Sequence, residues 1–145
     1  MYEDREPTDM EKKAQKTVGG LHEPHEIDTS ILETFAYQYP HRDITVEYVT
    51  TEFTSVCPYS GLPDFATLTI RYTPDRDCIE LKSLKYYLYA WRQVRMFNEH
   101  VVNKILEDLV ASVNPRRMEI VGAFTNRGGI TNTITAVYDK ENSKH

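Results

Sequence analysis

Apolar and polar residues alternate along two segments in the first half of the chain. This alternation predicts strands over 43–50 and 65–72, because successive side chains of a strand point to opposite faces. Residues 73–77 have the composition of a turn and lead into a short extended segment, 78–80. The apolar faces are Ile44, Val46 and Tyr48 on the first strand and Ala66, Leu68, Ile70 and Tyr72 on the second.

A helical period replaces the alternation after residue 83. Apolar residues recur every three or four positions in two runs, separated by a break near Met96. Pro115 follows the second run and cannot continue it, so the pattern predicts two consecutive helices. Their apolar faces are Leu84, Tyr87, Leu88, Trp91 and Val94 in the first, and Phe97, Val101, Val102, Ile105, Leu106, Leu109, Val110 and Val113 in the second.

A second pair of strands is predicted after the helices. Residues 117–125 alternate, residues 130–138 are rich in Thr, Ile and Val, and 126–129 has the composition of a tight turn. A short helix is also predicted over 27–35, started by Asp28 or Thr29. The apolar side of the first of these strands carries Met118, Ile120 and Phe124.

The order β-β-α-α-β-β predicts an α+β fold. Two hairpins that flank two helices give an antiparallel sheet with the helices on one face. A four-stranded sheet has two open edges, and pairing of these edges between subunits would close them and make a barrel. Residues 1–26 are polar and contain two prolines and two glycines, so they are predicted to be a flexible N-terminal arm before a single domain, 27–145.

Composition and charge narrow the class of protein. The chain has 145 residues, of which 40% are hydrophobic and 27% charged, as in an ordinary globular domain. A formal net charge of −5 does not favour binding to nucleic acid. The sequence predicts no membrane span and no signal peptide, and its two cysteines are expected to be free thiols. These features predict a cytoplasmic protein.

A cysteine and a carboxylate lie seven residues apart, Cys57 and Asp64. Pro58, Gly61 and Pro63 turn the chain between them and can bring both side chains to one place. A thiol nucleophile needs such a partner to move protons. The alternative is structural, since free cysteine is commonly a small buried apolar residue and aspartate a turn residue.

Charged residues at three other places suit ligands. Lys82 and Lys85 lie at a predicted helix start, where free N–H groups and cations together would bind an anion. Arg127 precedes two glycines and suits a phosphate, while Glu99 near the start of the second helix can accept two hydrogen bonds from a guanine-like edge. Each also has a purely structural explanation, as a solvated lysine, a turn arginine or an acid that favours the helix dipole.

Two stretches resemble one enzyme family. Phe-Thr-Ser-Val-Cys-Pro, ending at Pro58, and Glu-Leu-Lys-Ser-Leu-Lys over 80–85 resemble the NADPH-dependent 7-cyano-7-deazaguanine reductases, the QueF nitrile reductases of queuosine biosynthesis, a tRNA modification. The resemblance covers about 27–138. It implies the tunnelling fold and a homo-oligomer with active sites at subunit interfaces, acting on a small deazapurine with NADPH.

The resemblance also implies roles for single residues. Cys57 would add to the nitrile as nucleophile and form a covalent thioimide, with Asp64 as general acid, before two NADPH reduce it to 7-aminomethyl-7-deazaguanine. Asn98 stands where many relatives carry a histidine, which leaves a histidine proton shuttle in question. The implied substrate-binding residues are Ile79, Glu80, Leu81, Asn98 and Glu99, and the implied cofactor-binding residues are Leu81, Lys82, Arg127 and Gly128.

Two other functions remain open at this point. One is an amidinotransferase that forms the same thioimide on a nitrile-bearing tRNA base, although that branch lacks the lysine-bearing signature. The other is a non-catalytic purine-binding protein on the same scaffold. A metal site is not predicted, because the five histidines form no ligand pattern with the cysteines. They are His22, His25, His41, His100 and His145.

Overall fold

The computed structural model describes residues 5–142. Within this range the chain forms three α-helices, six strands and three short 3-10 turns. The helices are α1 (Asp9–Gln15), α2 (Leu81–Tyr89) and α3 (Asn98–Val113). The strands are β1 (Thr34–Ala36), β2 (Val46–Val56), β3 (Pro63–Thr73), β4 (Asp77–Ile79), β5 (Arg117–Arg127) and β6 (Ile130–Asp139), and the 3-10 turns are Pro24–Glu26, Thr29–Ile31 and Ala90–Gln93.

Four long strands form one antiparallel sheet in the order β2-β3-β5-β6. The hairpin β2–β3 and the hairpin β5–β6 flank α2 and α3 in the chain, which confirms the predicted order and the α+β class. The short strands β1 and β4 form a separate two-stranded antiparallel sheet. The sheet places the β2–β3 loop and the β5–β6 turn at the same end, because β3 runs antiparallel to both β2 and β5.

The core lies between one face of the sheet and the helices. Alternate residues of β3 and β5 are buried, as the alternation predicted, and the apolar stripe of α3 packs against them. The helix ends where Asn114 adopts a left-handed conformation before Pro115. Fully buried members include Leu68, Ile70, Tyr72, Val102, Ile105, Leu109, Met118 and Ile120.

Close contact between α3 and β5 depends on Gly122. A Cβ atom there would lie 2.8 Å from Val102 Cγ2 and 3.0 Å from Phe124 Cε2, closer than real atoms approach. We expect Gly122→Ala to lower the free energy of unfolding by about 1–3 kcal/mol through overpacking. Denaturant unfolding measures the change. Val102→Ala removes the clashing methyl group. The double variant should therefore be more stable than expected from the sum of the stability losses of the two single variants. Additive losses would contradict the steric account.

Two local predictions were wrong. Residues 27–35 do not form a helix: a 3-10 turn capped by Asp28 spans Thr29–Ile31, and the chain then extends into β1 to pair with β4. Ile44 lies outside β2, because the strand begins at Val46 and pairs from there with Tyr72. In both places tertiary strand pairing sets the element boundary, and short-range patterning carries no information about that pairing.

The segment predicted as an arm contains α1. Thr8 caps this helix in a reciprocal arrangement with Glu11, and the Tyr86 hydroxyl of α2 lies 3.2 Å from the Glu11 carboxylate. The Thr17 hydroxyl donates to the Ala90 carbonyl at 2.6 Å. Much of the segment therefore contacts the rest of the chain. Residues 1–4 and 143–145 lie outside the described range, and the division into an arm and a domain stays a prediction.

Candidate functional site

Cys57 lies in a six-residue loop, 57–62, between β2 and β3. The loop is closed by its own backbone, since Cys57 N–H donates to the Leu62 carbonyl at 2.9 Å and Gly61 N–H donates to the Cys57 carbonyl at 3.0 Å. Gly61 has a φ of 70°, which favours glycine. The proline and glycine residues thus build the predicted turn, and the thiol at its start is partly exposed.

The loop stabilises the thiolate of Cys57. Hydrogen bonds from the Ser60 hydroxyl and from the backbone N–H groups of Ser60 and Tyr59 lower the pKa of this thiol, while burial and the nearby Asp64 raise it by a smaller amount. Donors that point at a thiolate favour the charged form, which is the nucleophile. Cys78 is the opposite case, because its thiol is only 6% exposed and burial raises its pKa.

Replacing Ser60 by alanine should make Cys57 less reactive near neutral pH. The variant loses the hydroxyl donor that favours the thiolate, so the pKa of Cys57 rises and the thiolate fraction at pH 7 falls. Alkylation by iodoacetamide as a function of pH measures this, and the curve should move to higher pH. Ser30→Ala, on a distant 3-10 turn, is the control. An unchanged curve would remove Ser60 from this role.

Asp64 is the second residue of β3 and lies directly across from Ser55 of β2. It is only 7% exposed, and burial raises its pKa, whereas the positive charge of Arg127 lowers it. The Arg127 guanidinium contacts Asp64 Oδ1 at 2.7 Å and donates to the Pro63 carbonyl at 2.7 Å. Burial and the Arg127 cation therefore act on the pKa of this carboxyl group in opposite directions, and burial has the larger effect.

A cleft of about 340 Å³ opens beside Asp64. That volume suits a small ligand. The cleft combines polar groups that can pair with a heterocycle and an aromatic wall. Its lining comes from β3, the start of α3 and the β5–β6 hairpin, and consists of Asp64, Phe65, Asn98, Glu99, Phe124, Thr125, Arg127, Ile130, Thr131 and Asn132.

Glu99 and Asn98 reach this cleft from the first turn of α3. Asn132 on β6 donates to one carboxylate oxygen of Glu99 at 3.4 Å. The Asn98 side-chain oxygen is buried and has no hydrogen-bond partner among the described residues. His100 points elsewhere, with its ring 6.3 Å from that of Phe97. The site therefore offers an exposed pair of acceptors and one buried acceptor without a partner.

Comparison with known proteins identifies the family. A family model described as "QueF-like protein" matches residues 63–143, more than half of the chain. The chain belongs to the QueF family. All residues that line the cleft, from Asp64 to Asn132, fall inside the matched region, and the Cys57 loop directly precedes that region.

Relatives within the QueF family are similar along most of their length. A protein of Caldicellulosiruptor bescii named "NADPH-dependent 7-cyano-7-deazaguanine reductase" is 49% identical over 131 residues, which covers 90% of this chain and 100% of the relative. A protein of the same name from Chloroherpeton thalassium is 56% identical over 111 residues, 77% of this chain and 96% of the relative. The QueF signature noted in the sequence is therefore part of a similarity that extends over most of the chain.

A solved structure supports the fold. The crystal structure of the archaeosine synthase QueF-Like in its apo form matches with a TM-score of 0.60, at 22% identity, over 64% of this chain and 91% of that chain. At this identity the match concerns the fold alone.

The other predicted QueF ligand residues lie at the start of α2. Ile79 ends β4, and the Glu80 carboxylate accepts hydrogen bonds from the backbone N–H groups of Lys82 at 2.9 Å and Ser83 at 2.7 Å. This corrects the expectation of free helix N–H groups for an anion, since Glu80 already caps them. Leu81 is exposed and lines a second, apolar pocket against β2, with Lys85. Of the predicted ligand residues near the start of α2, only Leu81 lines this pocket, and none of them lines the cleft beside Asp64.

Three polar residues near the QueF cleft were missed in the sequence. Ser60 follows Cys57 by three residues. A serine inside a turn with proline and glycine commonly hydrogen-bonds to nearby groups of the turn, so its position could have indicated this role. Ser55 is fully buried, with a hydroxyl that has no partner in residues 5–142, and Asn132 lies on the last strand. Ser55 lies across from Asp64 through strand register, and Asn132 reaches Glu99 through the packing of α3 near β6, neither of which the sequence reveals.

No helix in residues 5–142 is long and apolar enough to cross a membrane. The same range contains no group of three or more His, Cys, Asp or Glu residues placed to hold a metal ion. His145, one of the five histidines considered, lies outside that range.

Proposed function

We infer that this chain is an NADPH-dependent 7-cyano-7-deazaguanine reductase of queuosine biosynthesis, which makes 7-aminomethyl-7-deazaguanine. Relatives that are about half identical and aligned over nearly their full length carry this name. The observation that carries the chemistry is a thiol of lowered pKa near a buried carboxyl group. Asp64 pairs across the β2–β3 hairpin with Ser55, two residues before Cys57, and its charge acts on the Cys57 thiol. Thiolate and proton donor are the two groups that addition to a nitrile needs.

In the proposed mechanism Cys57 Sγ bonds to the nitrile carbon and Asp64 delivers a proton to the nitrile nitrogen. The C≡N bond becomes C=N, so the product of this step is a thioimide on Cys57. NADPH supplies hydride, and two are required because nitrile to primary amine is a four-electron reduction. Breaking the C–S bond after the first reduction restores the Cys57 thiolate.

The substrate is held by its guanine-like edge in this proposal. The two oxygens of Glu99 accept from the ring N–H and the exocyclic amine, and Asn132 orients one of them. The buried Asn98 oxygen, which lacks a partner in the described residues, supplies a further acceptor. Ile79, Glu80 and Leu81 are proposed to complete the pocket, with Glu80 acting through its backbone because its carboxylate caps α2.

Cations and glycine backbone suit the cofactor phosphates. The side chain of Arg127 is about half exposed at the mouth of the cleft, and Gly128 follows it in a turn with a φ of 58°. A guanidinium binds phosphate with two parallel hydrogen bonds. Lys82 and the backbone near Leu81 are proposed to join them from another copy of the chain.

An oligomer would bring the two groups of residues together. Strands β2 and β6 are the edges of the four-stranded sheet, and edge pairing between copies makes the barrel of the tunnelling fold. Leu81 is 59% exposed beside β2, and Ile130 is 72% exposed on β6, so apolar side chains are present at both edges. We propose a homo-oligomeric ring in which each site takes Cys57 and Asp64 from one copy and Lys82 from a neighbour.

Intact-mass measurement tests the function. The protein is incubated with 7-cyano-7-deazaguanine, with and without NADPH. An adduct of the substrate mass without NADPH, and free amine with NADPH, is the expected result. No adduct and no amine would contradict the enzyme, and would leave a purine-binding protein. An adduct that NADPH does not reduce, and that is released only when an amine is added, would indicate an amidinotransferase.

Arg127→Ala distinguishes a cofactor contact from a partner of Asp64. If Arg127 binds phosphate, KM for NADPH should rise about ten- to a hundredfold, because one charge-assisted hydrogen bond contributes about 1.5–3 kcal/mol. KM for the nitrile should change little. Removing the cation also raises the pKa of Asp64, so adduct formation should persist to higher pH. Arg117→Ala is the matched control, being equally exposed at the other end of β5. An equal rise in KM for NADPH in both variants would contradict a phosphate contact at Arg127.

A further inference from the structure

His22 forms one edge of a small parallel ladder with residues 93–96, and Val56, just before the Cys57 loop, forms the other edge. His22 N–H donates to the Gln93 carbonyl and Arg95 N–H donates to the His22 carbonyl, both at 2.8 Å. Residues 93–96 are the middle segment. On their other side, Val56 N–H donates to the Val94 carbonyl at 2.9 Å and Met96 N–H donates to the Val56 carbonyl at 3.1 Å. Three chain segments are thereby joined side by side.

Side chains reinforce the outer edge of this ladder. Glu23 forms an ion pair with Arg95, and both side chains are partly exposed. The His22 ring contacts the Glu26 carboxylate one turn further on, and its other ring nitrogen is buried. The segment around residues 22–26 is thus held by backbone and side-chain contacts to the 93–96 segment.

The middle segment of the ladder connects both halves of the candidate site. Val56 immediately precedes Cys57, so its two hydrogen bonds to 94–96 set where the nucleophile loop starts. Phe97 follows the segment and is the N-cap of α3, whose first residues are Asn98 and Glu99. A shift of residues 94–96 would therefore move the thiol and the substrate-anchoring carboxylate relative to each other.

We propose that His22, Glu23 and Arg95 are positioning residues that fix the distance between Cys57 and Glu99. The inference rests on the proposed function. None of the three touches the cleft, and they act by keeping the 94–96 segment seated between Val56 and His22. Reacting atoms must be held within a fraction of an ångström, and a misplacement of 1 Å can cost about a hundredfold in rate.

His22→Pro and His22→Ala separate the backbone contact from the ring. Both lose the imidazole, but only proline also removes the N–H that donates to Gln93. At saturating nitrile and without NADPH, His22→Pro should form the Cys57 adduct roughly ten- to a hundredfold more slowly than His22→Ala. KM for NADPH should agree within about twofold between them, since the ladder does not contact the residues assigned to the cofactor.

A charge swap gives a second test that does not depend on proline being tolerated. Glu23→Arg and Arg95→Glu should each slow adduct formation about three- to tenfold, and the double variant should recover most of the loss. Glu47→Ala is the control, because Glu47 forms a similarly exposed ion pair with Arg71 on the open side of the sheet. It should react at the wild-type rate.

Hydrogen exchange at Val56 and Met96 provides a readout that does not need the substrate. Faster exchange of these amides in His22→Pro than in His22→Ala supports the proposal, and equal exchange overturns it. Unchanged adduct rates in His22→Pro and both charge variants, in a wild type that does form adduct, also overturn it, even if thermal stability falls. A wild type without adduct would instead remove the proposed function, on which this inference rests, and the exchange data would then show only whether residue 22 holds the 94–96 segment in place.

Discussion

Cys57→Ala is expected to abolish both the covalent adduct and the amine product while leaving nitrile binding measurable. Without the thiol, addition has no nucleophile, and no other thiol lies in the loop. The proposed binding groups, Glu99 and Asn98, come from α3 and do not depend on the thiol. Intact mass measures the adduct, product analysis the amine, and calorimetry the retained affinity.

Cys78→Ala is the matched control for this experiment. Cys78 is buried beside Tyr72, in contact with the core, and its raised pKa keeps it a neutral thiol. Its removal should cost some stability but leave adduct and turnover intact. Turnover in Cys57→Ala, or loss of the adduct in Cys78→Ala alone, would mean that the nucleophile has been misassigned and would remove the nitrile-reductase mechanism with it.

Asp64→Asn is expected to slow adduct formation about 10²–10⁴-fold, the usual contribution of general acid–base catalysis. Asparagine keeps the shape of the side chain but cannot give up a proton to the nitrile nitrogen. Burial already favours the protonated carboxyl group, and Arg127 opposes it. The acid form is lost as pH rises through the pKa of Asp64, so the wild-type rate should fall on that side and the variant should lack this dependence.

Asp75→Asn provides the control for loss of an ion pair. Asp75 contacts Arg116 at 3.3 Å and lies just beyond the far end of β3. The substitution should leave the rate of adduct formation near that of the wild type. If Asp64→Asn reacts within about threefold of the wild type, the proton must come from another group and the general-acid role is wrong.

The main elements of the fold followed from periodicity. Alternation at Ala66, Leu68, Ile70 and Tyr72 and the spacing of the α3 stripe reflect burial on one face, which is a local property of each element. The boundaries at 27–35 and at Ile44 did not follow, because pairing of β1 with β4 and of Val46 with Tyr72 is decided by contacts distant in sequence. The sequence pattern indicates which face of a helix or strand is buried, whereas the strand that pairs with it is known only from the tertiary structure.

The candidate site divides in the same way. Cys57, Asp64 and Glu99 were marked by residue type, turn chemistry and resemblance. The structure brings Asp64 and Glu99 to one cleft, which Cys57 itself does not line. Arg127 was expected at the cofactor, and its contact with Asp64 depends on the register of β5 with β3, which the sequence does not specify. The capping of α2 by Glu80 was missed because a glutamate before a helix can either cap it or face a ligand.

The contrast between the two cysteines makes the unmodified protein suitable for active-site titration. An electrophile added in slight excess near neutral pH should consume the loop thiol first, because its thiolate is favoured and exposed, while the core thiol is both neutral and covered. The stoichiometry of rapid labelling then counts competent sites in any preparation.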